Sequence, residues 1–139
     1  MPNSAGHGSI NYVTVAHVVG IYDAAMQESG HPPAALVREV ALDGAVHHPR
    51  QMGYYEGEDL IEQAVDLMAR IALAHAWADG NTRVAVHAFE VFLALNGIRS
   101  PSSEAYVFIA DALVAFKAGD SEERATMAGD LVARIRAWP

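Results

Sequence analysis

His75-Ala76-Trp77-Ala78-Asp79-Gly80-Asn81-Thr82-Arg83 is the stretch on which the reading of the whole chain turns. Before it, Leu60, Ile61, Ala64, Val65, Leu67, Met68, Ile71, Ala72 and Leu73 are apolar on most of a helical circumference, which marks a central helix over roughly 58–78. After it, Val84, Val86, Ala88, Phe89, Phe92 and Leu95 recur at helical spacing, and Asn96-Gly97 supplies end-of-helix chemistry. Gly80 is expected to break the first helix, and Asn81 or Thr82 to cap the second. The polar residues therefore crowd into a turn at a helix N-terminus, where free backbone N–H groups favour an anion such as phosphate. Asp79 offers the hard oxygen that Mg²⁺ prefers. Arg83 offers a forked donor for phosphate oxygens. His75, in the last turn of the first helix, is of the residue type that takes up protons near neutral pH.

These residues spell a pattern that resembles the signature of the Fic/Doc superfamily (filamentation-induced-by-cAMP and death-on-curing proteins), H-x-F-x-D/N-G/A-N-x-R. His75, Asp79, Gly80, Asn81 and Arg83 match it, and Trp77 stands where the family usually has Phe. Upstream, residues 36–49 are similar to the family segment R-D-x-x-L-L-E-S-A-L-x-x-P, with departures at Glu39, Asp43 and Gly44. The resemblance covers about residues 13–137 and follows the compact death-on-curing layout.

The rest of the chain reads as an all-α bundle of about six helices. Residues 1–12, rich in Gly, Ser and Asn, are expected to form a flexible tail, with His7 solvated in it, and residues 13–139 a single domain. Thr14 caps a first helix to about Ser29, ended by Gly30 and Pro32-Pro33. A second is expected from Pro33 to His47 or His48, stopped by Pro49. The resemblance implies that Arg50 to Gly57 forms a short flap loop beside the active site, laying a target segment across His75. Ser102 or Ser103 caps a fifth helix to Lys117, and Asp120 or Ser121 a sixth. His17, Asp23, His47, His48, His87 and Glu90 read as structural residues. A His75/Asp79/His87 metal triad is arithmetically allowed but lacks the i, i+4 histidine pair of helical zinc sites.

Composition narrows the function. The 139 residues are 52% hydrophobic, enough for one buried core. Nine basic against 17 acidic residues leave a net charge of −8, with Lys117 the only lysine, which argues against nucleic acid as a partner. There is no cysteine for disulfide or thiolate chemistry. No apolar run approaches the ~20 residues of a membrane span, and no charged-then-apolar signal opens the chain, so a cytoplasmic location is expected.

The resemblance implies an ATP-dependent transferase in which His75 is the general base toward a target hydroxyl and Asp79 holds Mg²⁺. Gly80, Asn81, Thr82 and Arg83 hold the ATP phosphates, and Arg83 also stabilises the transferring group. Adenylylating Fic proteins carry a second arginine three residues after the first, where this chain has Val86. Death-on-curing toxins lack that arginine too and resemble kinases that phosphorylate elongation factor Tu, although they usually read Ala-Asn-Lys-Arg where this chain reads Gly80-Asn81-Thr82-Arg83. The expectation is thus a death-on-curing-like protein kinase, with AMP transfer and a catalytically silent binding module as the other readings. The family's inhibitory segment S/T-x-x-x-E-G/N is not evident, since its nearest match, residues 52–57, begins with Met52. A separate small antitoxin partner is therefore implied, one that competes for Arg83.

Overall fold

A computed structural model describes residues 10–99 and 103–138. Six α-helices make up the regular structure, in the order α1 (Val15–Ser29), α2 (Glu39–Glu56), α3 (Leu60–Ala74), α4 (Asn81–Leu95), α5 (Ser103–Ala118) and α6 (Ser121–Arg136). The all-α bundle expected from the periodicity is the fold observed. α3 packs against α2, α4, α5 and α6, which is why its sequence is apolar on nearly every side. Leu67, Met68 and Ile71 from α3 meet Phe89, Phe92 and Leu93 from α4 at the centre of the core. None of the described helices is long and apolar enough to cross a membrane.

The helix starts follow from capping chemistry. Thr14, Asp59 and Asp120 each accept from the backbone N–H three residues on, and His17, Glu62 and Glu123 return the bond. These reciprocal pairs satisfy orphan donors that a helix start otherwise leaves open. His17, read as structural, is thereby a capping residue. Arg136 bonds to Asp59 and ties the end of α6 to the start of α3. Burial pushes the Asp59 carboxyl up, but its bonds from the Glu62 N–H and from Arg136 outweigh this and leave it below the usual range.

Three boundaries differ from the sequence reading. The expected tail is tied down at its end: Asn11 exchanges bonds with Asn96 and donates to the Leu95 carbonyl, while Tyr12 donates to Gln63 at 2.6 Å. Val13 is in the core. Residues 1–9, with His7, lie outside the described residues, as does Ser102.

The second difference is α2. It begins at Glu39 rather than Pro33, and it runs through Pro49 to Glu56, so the expected flap loop is helical. Pro49 forfeits one ladder bond, but tertiary contacts carry the helix past it. Pro49 itself is buried, Arg50 lies 4.5 Å over the Tyr12 ring, and Gly53 packs so closely on Gln63 that a Cβ there would sit 2.5 Å from Gln63 Nε2. The chain leaves the helix only at Gly57, in the left-handed region.

The third difference concerns the decisive stretch. α3 stops at Ala74, and residues 35–38 run extended and antiparallel to residues 76–78. Val37 and Arg38 donate to the Ala76 carbonyl at 2.7 and 3.0 Å, and Ala78 donates to the Ala35 carbonyl at 3.2 Å. This pairing consumes the backbone groups that an earlier start of α2 would need. Asn81 closes the loop from the other side. It is the first residue of α4, is buried, and accepts from the Trp77 N–H at 3.1 Å while donating to the Trp77 carbonyl at 2.8 Å.

Two stability measurements test this account. Asn81→Ala orphans both backbone groups of buried Trp77 and is expected to lower unfolding stability by about 2–3 kcal/mol in urea titrations. Near the start of α3, Glu58 Oε1 is buried without a partner among the described residues. Burial, then repulsion from Asp66 and Glu62, raises the Glu58 carboxyl above its ordinary range, with His48 opposing. Folding therefore favours the protonated form, and the stability it contributes at acid pH is lost as pH rises through the folded value. Glu58→Gln is expected to stabilise the protein at neutral pH by about 1 kcal/mol, the low end for an unsatisfied acceptor in a partly buried residue. The gain should disappear below the ordinary carboxylate range.

Candidate active site

The loop between α3 and α4 is built around one stacked pair. The Tyr22 ring of α1 lies 4.3 Å from the Trp77 ring at an interplanar angle of 5°, and both residues are buried. The Tyr22 hydroxyl donates to the Asp79 carbonyl at 3.0 Å and accepts from the Ala34 N–H at 2.9 Å. One side chain therefore holds the loop between α3 and α4, the segment before α2 and the Trp77 indole in register. Nothing in the spacing of the sequence distinguished Tyr22 from the other apolar-face residues of α1.

With Trp77 and Asn81 anchored inward, the intervening residues are forced to turn at the surface. Gly80 makes the turn at φ +84°, and a Cβ there would meet Met26 Sδ at 2.9 Å and Tyr22 Cε1 at 3.1 Å. The expected capping by Asn81 or Thr82 does not occur: Gly80 occupies the N-cap position of α4, with no side-chain cap bond. The first ladder bond runs from the Val84 N–H to the Gly80 carbonyl, leaving the N–H groups of Asn81, Thr82 and Arg83 open at the helix start.

His75 is not in the last turn of α3 but caps it, at φ 48° and ψ 45°. It is the only described residue other than glycine with a positive φ. This conformation costs a non-glycine residue about 1–2 kcal/mol, and such strain clusters at functional sites. The Arg38 guanidinium donates to the His75 carbonyl at 3.0 Å and so steadies the strained turn. The exposed imidazole has no hydrogen-bond partner among the described residues.

His75, Asp79, Gly80, Asn81, Thr82 and Arg83 all line one pocket of about 500 Å³, with His31 and Lys117 completing its wall. The structure thus assembles every residue singled out in the sequence, and adds two that the sequence did not mark. The exposed Asp79 carboxylate has no ion pair or hydrogen bond among the described residues, and is free to take a cation. Arg83 is half-buried and bonds only to the Met26 thioether, at 3.4 Å. The Asn81 side chain spends one N–H and one acceptor position on Trp77, and its backbone N–H is open at the start of α4.

Three of the histidines read as structural have acidic or carbonyl neighbours. His47 bonds to the Asp43 carbonyl, His48 to the Asp66 carboxylate at 2.6 Å, and His87 lies 3.8 Å from Glu90. No group of three His, Cys, Asp or Glu residues placed to hold a metal exists among the described residues, which removes the His75/Asp79/His87 triad. A single carboxylate does fit Mg²⁺, an ion usually held by one or two carboxylates together with substrate phosphates. Val86, at the position of the second arginine of adenylylating proteins, is buried in the core.

None of the curated proteins matches this chain. The model of the Fic/DOC family matches residues 12–93, from the tyrosine before α1 through the pocket-forming loop to the end of α4. With more than half of its length matched and the motif residues gathered in one pocket, the chain belongs to the Fic/DOC family.

Proposed function

We propose that this protein transfers the γ-phosphoryl group of ATP to a hydroxyl side chain of a target protein, in the manner of death-on-curing toxins. Members of the Fic/DOC family are typically enzymes that move AMP or phosphoryl groups onto proteins, generally from ATP with Mg²⁺. The observation that carries the reading is His75. A strained backbone places its uncommitted imidazole on the same pocket as an uncommitted carboxylate and an arginine without an ion pair.

In this mechanism the target hydroxyl approaches the exposed face of His75, whose imidazole accepts its proton as the oxygen attacks the γ-phosphorus and the bond to the β,γ-bridging oxygen breaks, so that ADP leaves. The open N–H groups at the start of α4 and the Arg83 guanidinium hold phosphate oxygens and stabilise charge as it develops. Asp79 would hold Mg²⁺, which neutralises phosphate charge when bound. Gly80 lets the backbone approach the phosphates without a side chain between. Val86 favours phosphoryl over AMP transfer, since the core leaves no arginine there. The spelling Gly80-Asn81-Thr82-Arg83, without the lysine usual in death-on-curing toxins, weighs against the kinase reading without restoring AMP transfer. The target on this reading is a translation factor such as elongation factor Tu, in the cytoplasm, and a small antitoxin restrains the enzyme by covering Arg83.

ATP labelled at either the α- or the γ-phosphate, incubated with Mg²⁺, the protein and elongation factor Tu or cell lysate, separates these readings. Label should arrive from the γ position. His75→Gly should reduce transfer by about 10²–10⁴-fold, while its thermal midpoint holds or rises because glycine relieves the left-handed strain. Arg83→Ala should cost about 10²–10³-fold. Transfer of the α label would assign AMP transfer instead, and failure of both labels would leave a binding module.

A further inference from the structure

We infer that Lys117, held by Thr82, is a phosphate-binding residue of this site and the second cation that grips the polyphosphate of its nucleotide. The inference rests on the phosphoryl-transfer reading for the identity of the ligand, but on geometry for the residue. Lys117 is the only lysine of the chain and lies in the last turn of α5, 35 residues from the loop, yet its ammonium donates to Thr82 Oγ1 at 3.2 Å. Both residues line the pocket that holds His75, Asp79 and Arg83.

The surroundings explain why Lys117 points there. A lysine at a helix C-terminus ordinarily turns toward the free carbonyls of its own last turn. Here Arg124 of α6 takes those acceptors, donating from Nε to the Phe116 carbonyl at 3.0 Å and from Nη2 to the Lys117 carbonyl at 2.7 Å. The ammonium is left to reach the first turn of α4. Thr82 offers a neutral hydroxyl and occupies one donor of three, so two remain for a ligand.

Charge points to the class of ligand. Arg38, Arg50, Arg124 and Arg134 spend their charge on carbonyls or aromatic rings, whereas Arg83 and Lys117, with no carboxylate partner among the described residues, line the same pocket. Two half-buried cations at one pocket, one bonded to a thioether and the other to a hydroxyl, repel each other until an anion lies between them. The open N–H groups of Asn81, Thr82 and Arg83 face the same space. A nucleoside triphosphate supplies the extended anion that such a set can share. Thr82 on this account is a positioning residue, and Lys117 is the one that touches phosphate.

Calorimetric titration of the full chain with inorganic triphosphate and with ATP–Mg²⁺ tests this, using the wild type, Lys117→Met, Thr82→Val and the double variant Thr82→Lys/Lys117→Met. Lys117→Met should weaken both ligands by about ten- to a hundredfold, and Thr82→Val by less, since the charge stays. The double variant, which returns a cation to the pocket without the tether, should recover most of the loss. A tether serving stability alone would lower the thermal midpoint of the double variant without this recovery. Lys117→Met binding as tightly as wild type would overturn the inference and leave the transfer reading intact. Wild type binding triphosphate in a Lys117-dependent way but not ATP would sink the ATP reading and keep the role of Lys117. Wild type binding neither would overturn both. Lys117→Gln replaces the methionine variant if that one fails to fold.

Discussion

The pairing of the Asn81 amide with both backbone groups of Trp77 is the constraint on which the site depends. A buried loop between two core helices cannot leave its N–H and C=O groups unpaired, because each orphan costs about 1–3 kcal/mol. Asn81 settles both at once, at 3.1 and 2.8 Å, and does so from the first position of α4. Trp77 is thereby fixed inward against Tyr22, and the residues between Trp77 and Asn81 have nowhere to go but the surface. Asp79 and Gly80 are displayed because their neighbours are buried. The asparagine of the motif thus shapes the turn.

A second consequence concerns strain. α3 cannot continue past Ala74, since residues 76–78 are paired with residues 35–38 across an antiparallel bridge. The chain must pass from helix to extended backbone within one residue, and His75 absorbs the change at φ 48°. Glycine would do this without cost, yet a histidine stands there, steadied by Arg38 at its carbonyl. Backbone strain of this kind clusters at functional sites, which supports the role proposed for the imidazole. The same turn lifts the imidazole out of the helix and onto the pocket that Arg83 and Asp79 share.

The pocket also shows how charge is distributed in an acidic protein. Carboxylates dominate the chain, but those nearest the site are Asp79 alone and no partner for Arg83 or Lys117. Two cations without a carboxylate partner among the described residues, Arg83 and Lys117, thus share one pocket. Lys117 reaches the pocket from a helix far along the sequence, so a cation that the local motif lacks at Thr82 arrives through the tertiary fold.

The sequence by itself determined the helices and the list of residues from the loop. Helical apolar spacing, the Thr14 cap and the glycines at 30 and 97 are local signals, and they were legible because each depends on neighbours within a turn of chain. The nine-residue stretch named the family for the same reason. What only the tertiary structure decided were the features that depend on distant partners. α2 crosses Pro49 because Tyr12 and Gln63 pack on its second half, and it starts late because residues 35–38 pair with the loop. Tyr22, Arg38 and Lys117 bond to residues of the site 35 to 57 positions away in the chain, and His31 lines the same pocket. Spacing cannot reveal them, since their positions follow from the packing of α1, α3, α4 and α5 around one core, and that packing is settled by burial summed over the whole chain.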